Sequence, residues 1–263
     1  MRREAFARRG ILLAAALLGS CLPTAAALAA PSAKISAEFS PERLGQRTTL
    51  HFGFQIHGSR GQVPPALSTV NLSYPNNLGI ALSGLGLATC TAATLEAGLS
   101  GCEANSIMGF GSALAEIALG TEVVKETALL TILRAENQEG HFALLFNAIG
   151  TVPLTANLVF SGALLPAPAP FGGRVSIDVP LVPSVPGAPD VAIVALNATI
   201  GPSGVTYFER LAGRTLAYQP PGILLGNSCP RGGFPFAAQF GFVDGSHASA
   251  RTTQPCPRAK RRR

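Results

Sequence analysis

The stretch from Cys229 to Cys256 constrains this chain most. Within it Phe234, Phe236, Phe240 and Phe242 alternate with smaller residues, the period-two pattern of a strand with one buried face. Asp244-Gly245 follows, and a tight turn of this kind needs the positive φ that glycine adopts without steric cost. A hairpin folded at that turn places Cys229 opposite Cys256, so a disulfide is expected to close its open end. A chain that carries such a hairpin is building sheet.

The remaining sequence reads the same way. Strand signals fall at 35–39, 48–56, 62–75, 78–87, 111–119, 126–133, 141–147, 154–165, 174–182, 191–200, 205–209 and 215–218. In the second of these Leu50, Phe52, Phe54 and Ile56 share one face, with His51 and Gln55 on the other. Twenty-nine glycines and 21 prolines supply frequent turns. Residues 91–97 have the propensity for one short helical turn ended by Gly98. No long amphipathic helix is expected anywhere after residue 30. Prolines 166, 168 and 170 with Gly172-Gly173 favour an extended crossing segment, either a linker or a loop within one domain. The expectation is therefore all-β: an immunoglobulin-like sandwich of roughly a dozen short antiparallel strands, one domain of one or two lobes over residues 30–257.

Residues 1–29 read as a signal peptide, with Arg2, Arg3, Arg8 and Arg9 before an apolar run and an Ala27-Leu28-Ala29 cleavage site. Leu18-Gly19-Ser20-Cys21 offers a rival, a lipoprotein anchored at Cys21, and Arg8-Arg9 a twin-arginine export route. Uncleaved, residues 11–30 just reach the length of a membrane span, but Pro23 and the small residues argue against one. Export leaves four cysteines, Cys90, Cys102, Cys229 and Cys256, and an even number in an oxidising compartment points to disulfides. The sequence-local pairing, Cys90 with Cys102 and Cys229 with Cys256, is the one favoured. Zinc has little support, because C-x-x-C and H-x-x-x-H are missing and the histidines are scattered at 51, 57, 141 and 247.

The formal charge of +6 does not describe the fold. Four arginines against Glu4 sit in the leader, and Arg258, Lys260, Arg261, Arg262 and Arg263 form a basic tail, which leaves the body near −2. Nucleic acid is not an expected partner, because phosphate binding needs cations clustered on the fold. The tail suits anionic cell-wall polymers or lipid headgroups, or serves only as a solubilising end.

Two arrangements together resemble a known group. They are C-x11-C followed by Ser106-Ile107-x-Gly109-x-Gly111, and the closing Cys229-Pro-x-Gly-Gly-Phe-x-Phe with Asp244-Gly245 and Cys256. They resemble a family of uncharacterised exported actinobacterial proteins over most of residues 38–256. The resemblance implies a secreted, disulfide-bonded β-sandwich and no activity. The opening Phe39-Ser40-Pro41, Leu44-Gly45 and the alternating run after it likewise look like the first two strands of bacterial immunoglobulin-like domains.

Gly98-Leu99-Ser100-Gly101-Cys102 fails the nucleophile-elbow pattern at its last position. Gly109 and Gly111 lack the third glycine and the βαβ setting of a dinucleotide loop. Asp178, Asp190 and Asp244 are too few and too scattered for a calcium loop or an aspartyl dyad. Glu136 and Glu139 are the closest carboxylates, on an expected hairpin tip. No cofactor or metal is expected. The reading is a secreted or envelope-associated, non-catalytic structural or adhesive module. The alternative is an extracellular binder of a glycan or a small apolar ligand; a hydrolase has least support. Three tyrosines and no tryptophan make a thin platform for stacking sugars.

Overall fold

The computed structural model describes residues 30–152, 156–182 and 190–257. The leader with Cys21, and the tail cations Arg258, Lys260, Arg261, Arg262 and Arg263, lie outside the described residues. In chain order the elements are β1 (Ser32–Ser40), β2 (Arg47–His57), β3 (Leu67–Pro75), β4 (Leu78–Gly79), α1 (Ala92–Ala97), β5 (Ile107–Leu119), β6 (Glu122–Arg134), β7 (Ala143–Val152) and β8 (Asn157–Leu165). They continue with β9 (Phe171–Asp178), β10 (Ala192–Ile200), β11 (Tyr207–Leu211), β12 (Arg214–Tyr218), β13 (Ile223–Leu225), β14 (Phe234–Phe242) and β15 (His247–Gln254).

Thirteen strands form one antiparallel sheet, in the order β15-β14-β3-β9-β8-β7-β6-β5-β10-β2-β13-β4 with β1 added beside β2. The sheet curls into a half-barrel. This corrects the expected immunoglobulin-like sandwich: the protein is all-β, but among the described residues no second sheet faces the first, and only the β11–β12 hairpin stands apart. The physical reason is that period-two alternation assigns each strand a buried face without saying what that face meets. Two sheets packed together and one sheet rolled around itself give the same pattern.

Strand β5 helps set the curl. Its inner-face residues Gly109, Gly111, Ala113 and Ala115 pair with Ile200, Ala198, Leu196 and Ile193 of β10. A Cβ on Gly109 would lie 2.2 Å from the Thr199 carbonyl oxygen, and one on Gly111 would lie 2.4 Å from that of Asn197. The two backbones approach that closely only because glycine has no side chain to hold them apart. The Gly109-x-Gly111 spacing is thus a bend in a sheet.

The proline-rich segment is a loop within the sheet, because β8 and β9 on either side of it pair directly. Its glycines, expected in the crossing segment, lie inside β9 instead, where a Cβ on Gly172 would meet Asn76 Cα at 2.3 Å. The expected strand at 78–87 shortens to Leu78–Gly79. Gly84 and Gly86 take φ of +75° and +65°, and Arg134 Nη1 donates to the Gly86 carbonyl at 2.7 Å.

The main core lines the concave side. Phe39 meets Phe234 edge-on at 5.3 Å, and Phe54 meets Phe240 at 5.1 Å. Phe234, Phe236, Phe240 and Phe242 are all buried, so the face assigned by alternation is the observed one. β1, the branch beside β2, packs against the edge strand β15. A smaller core lies on the convex side, where Leu95 of α1 joins Leu133, Ala143 and Leu145. Thr91 caps α1 by accepting from the Thr94 amide at 3.2 Å.

Both disulfides form in the local pairing, Cys90–Cys102 and Cys229–Cys256. The second closes the β14–β15 hairpin across its open end, with Cα atoms 5.8 Å apart. The two cysteines are separated by 27 residues, and a loop of that length gives about 3–4 kcal/mol in the chain-entropy account. Replacing Cys229 and Cys256 together by serine is expected to lower stability by that amount. Urea midpoints of the oxidised wild type and the double variant check it.

Candidate functional site

The inner faces of the curled sheet do not fill the space they enclose. A cavity of about 120 Å³ remains, walled by Phe52 and Phe54 of β2, Ala198 of β10, Leu130 and Ile132 of β6, Phe146 of β7, Phe160 of β8 and Ile177 of β9, among others. Phe146 and Phe160 stack at 5.1 Å along one wall. Serine 73 and Tyr74 are the polar members of the lining. The Tyr74 ring folds across the sheet, so that a Cβ on Gly173 would lie 2.2 Å from its hydroxyl oxygen. Burial pushes the Tyr74 hydroxyl pKa up.

The lining fixes what such a space can hold. Protein interiors carry few voids larger than a water molecule, and a fully enclosed void of this size costs about 3 kcal/mol at roughly 24 cal/mol per Å³, an upper bound for a space that is partly open. Water gains little there, since it needs two to four polar partners. A dry engineered cavity of roughly 150 Å³ takes up benzene or xenon. The chemistry on offer is shape-selective uptake of an apolar group.

One charged residue shares the concave face. Glu126 is in phase with Leu130 and Ile132 along β6, and only 6% of its surface is exposed. Its Oε1 has no hydrogen-bond partner among the described residues. Burial raises its pKa above the ordinary value of 4.5. The folded state therefore holds the proton more tightly than the unfolded chain, and stability falls as pH rises through the interval between the two values. Glu126→Gln should flatten that fall, measured as urea midpoints from acid to neutral pH.

The residues singled out from sequence lie elsewhere. Cys90–Cys102 ties the loop that carries α1 on the convex side, and Cys229–Cys256 sits at the end of a hairpin. Glu136 and Glu139 are exposed in the β6–β7 turn. His51 faces outward from β2 with Nδ1 3.1 Å from Thr199 Oγ1, and His57 is exposed. Tyr207 is fully buried; its hydroxyl donates to the Ile107 carbonyl at 2.7 Å and accepts from the Gly86 amide at 2.6 Å. Among the described residues no tyrosine is exposed, and the exposed aromatic side chain is Phe208. No helix of the described residues is long and apolar enough to cross a membrane.

No family model, curated protein or solved structure matches the chain. The cavity therefore has to be interpreted from its own walls. Sequence reasoning placed Leu50, Phe52 and Phe54 in a core and missed that the core is incomplete. Glu126 was legible in principle: a carboxylate in phase with Leu130 and Ile132 breaks the apolar face of its strand.

Proposed function

We propose that the protein binds a small apolar molecule within its curled sheet. The observation that carries this is the cavity of about 120 Å³ among phenylalanine, leucine, isoleucine and valine side chains. An unfilled space of that size is a standing cost to the fold, and a ligand seated in it removes that cost and adds stability by mass action. Two disulfides fit work in an oxidising compartment, in keeping with an exported binder.

The structural or adhesive envelope role is the other reading. It rests on the leader and on the basic tail with its anionic wall polymers, and it calls for no internal cavity. A glycan-binding role has little to stand on: among the described residues Phe208 is the exposed ring, Tyr74 and Tyr218 are half-buried and Tyr207 is buried, and stacking on sugars needs exposed rings. Titration of the protein with fluorobenzene, followed by its fluorine resonance, tests the ligand reading, because a single ring is the size of guest such a space accepts. A saturable change at one site per chain, reversed by a short aliphatic alcohol and unchanged when residues 258–263 are removed, is the expected result. A resonance that changes without saturation, or that no short aliphatic compound displaces, contradicts it.

A further inference from the structure

The cavity is apolar, yet the concave face that forms it carries a buried carboxylate, and no described residue answers its Oε1. Strand register fixes where that group lies. Glu126 pairs with Ala115 of β5, and Ala115 pairs with Ile193 of β10, a cavity-lining residue. Glu126 and Ile193 thus share one cross-strand row, two strands apart, or about 10 Å. Along its own strand Glu126 is four residues from Leu130, another lining residue, or about 13 Å. It sits beyond one end of the apolar space and on the same inner face.

Among the described residues Glu126 forms no ion pair, and its Oε1 has no hydrogen-bond partner. Its same-face neighbours along β6 are Val124 and Ala128, and across the ladder it meets Ala115. The adjacent cation, Lys125, is on the opposite face and pairs there with Glu116 at 3.4 Å. A carboxylate held among aliphatic side chains is costly unless it is paired and hydrogen-bonded. A sheet that needed only to close on itself would place an apolar residue at this position, as it does at Leu130 and Ile132.

We infer that the natural ligand is an aliphatic compound with a cationic, hydrogen-bond-donating head, its chain in the cavity and its ammonium group on the Glu126 carboxylate. This rests on the ligand-binding reading above and sharpens it. The chain contributes affinity through apolar burial, which is indifferent to the head. The carboxylate contributes selectivity, because a charged donor answers Oε1, a neutral hydroxyl answers it only as a dipole, and a second carboxylate repels it.

Displacement of fluorobenzene by octylamine, octanol and octanoate, in wild type and in Glu126→Gln, tests the inference. The amine is expected to displace the probe at least tenfold more effectively than the alcohol, with the carboxylate weakest. Glu126→Gln, nearly the same shape, should bind the probe and the alcohol as before and bring the amine to within about threefold of the alcohol. Three aliphatic compounds that displace the probe equally in both proteins overturn the head-group assignment and leave the cavity reading standing. The same holds if octanoate is preferred. A wild type in which none of them displaces the probe overturns the cavity reading itself, and this inference with it.

Discussion

Gly111→Val is expected to cost the fold more than about 3 kcal/mol, and it is the substitution most damaging to the curl. A Cβ there would lie 2.4 Å from the Asn197 carbonyl oxygen and 3.2 Å from Ala198 Cα, so backbone rather than a flexible side-chain end must move. Overpacking an ordinary core position costs about 1–3 kcal/mol; this site adds the separation of two paired strands. Ser112→Val is the control. It lies on the opposite, partly exposed face of the same strand and should change stability by no more than about 0.5 kcal/mol. Urea midpoints of the two variants give the comparison. Equal effects would mean that the close approach of β5 and β10 is not what shapes the sheet.

Ala198→Phe is expected to abolish ligand uptake while leaving the protein folded. Ala198 is buried and lines the cavity in one cross-strand row with Leu130, two strands away, and a phenylalanine there adds roughly a benzene ring, the size of guest such a space accepts. Affinity for fluorobenzene should fall at least tenfold. The thermal midpoint should hold or rise, because the ring occupies space that is otherwise empty. A variant that folds and binds the probe as tightly as wild type would place the binding site somewhere else.

Much of the architecture was legible in the chain, for local reasons. The β14–β15 hairpin follows from alternating phenylalanines and Asp244-Gly245, and its disulfide follows from the hairpin. The α1 turn with its Thr91 cap and Gly98 stop is equally local. What escaped is collective. Each strand announces one buried face, and whether thirteen such faces meet across two sheets or around one depends on twist and bend summed over all of them. The bend at Gly109 and Gly111 was visible only as two glycines. The cavity escaped for a related reason: Phe52, Phe146 and Phe160 announce burial, but a pattern of apolar residues does not say whether their volumes fill the space they surround. The sequence offered Glu126 as a break in an apolar stripe, and only register could bring it into one row with Ile193.

The central claim is that the space inside the sheet receives apolar guests, and xenon tests it without any assumption about the natural ligand. Crystals of the protein pressurised with xenon should show a strong anomalous peak among Phe52, Leu130, Phe146 and Ala198, because a dry apolar cavity of about 120 Å³ takes up the gas. The peak should vanish in Ala198→Phe. Wild-type crystals with no xenon in that space, or with ordered water filling it instead, would contradict the account.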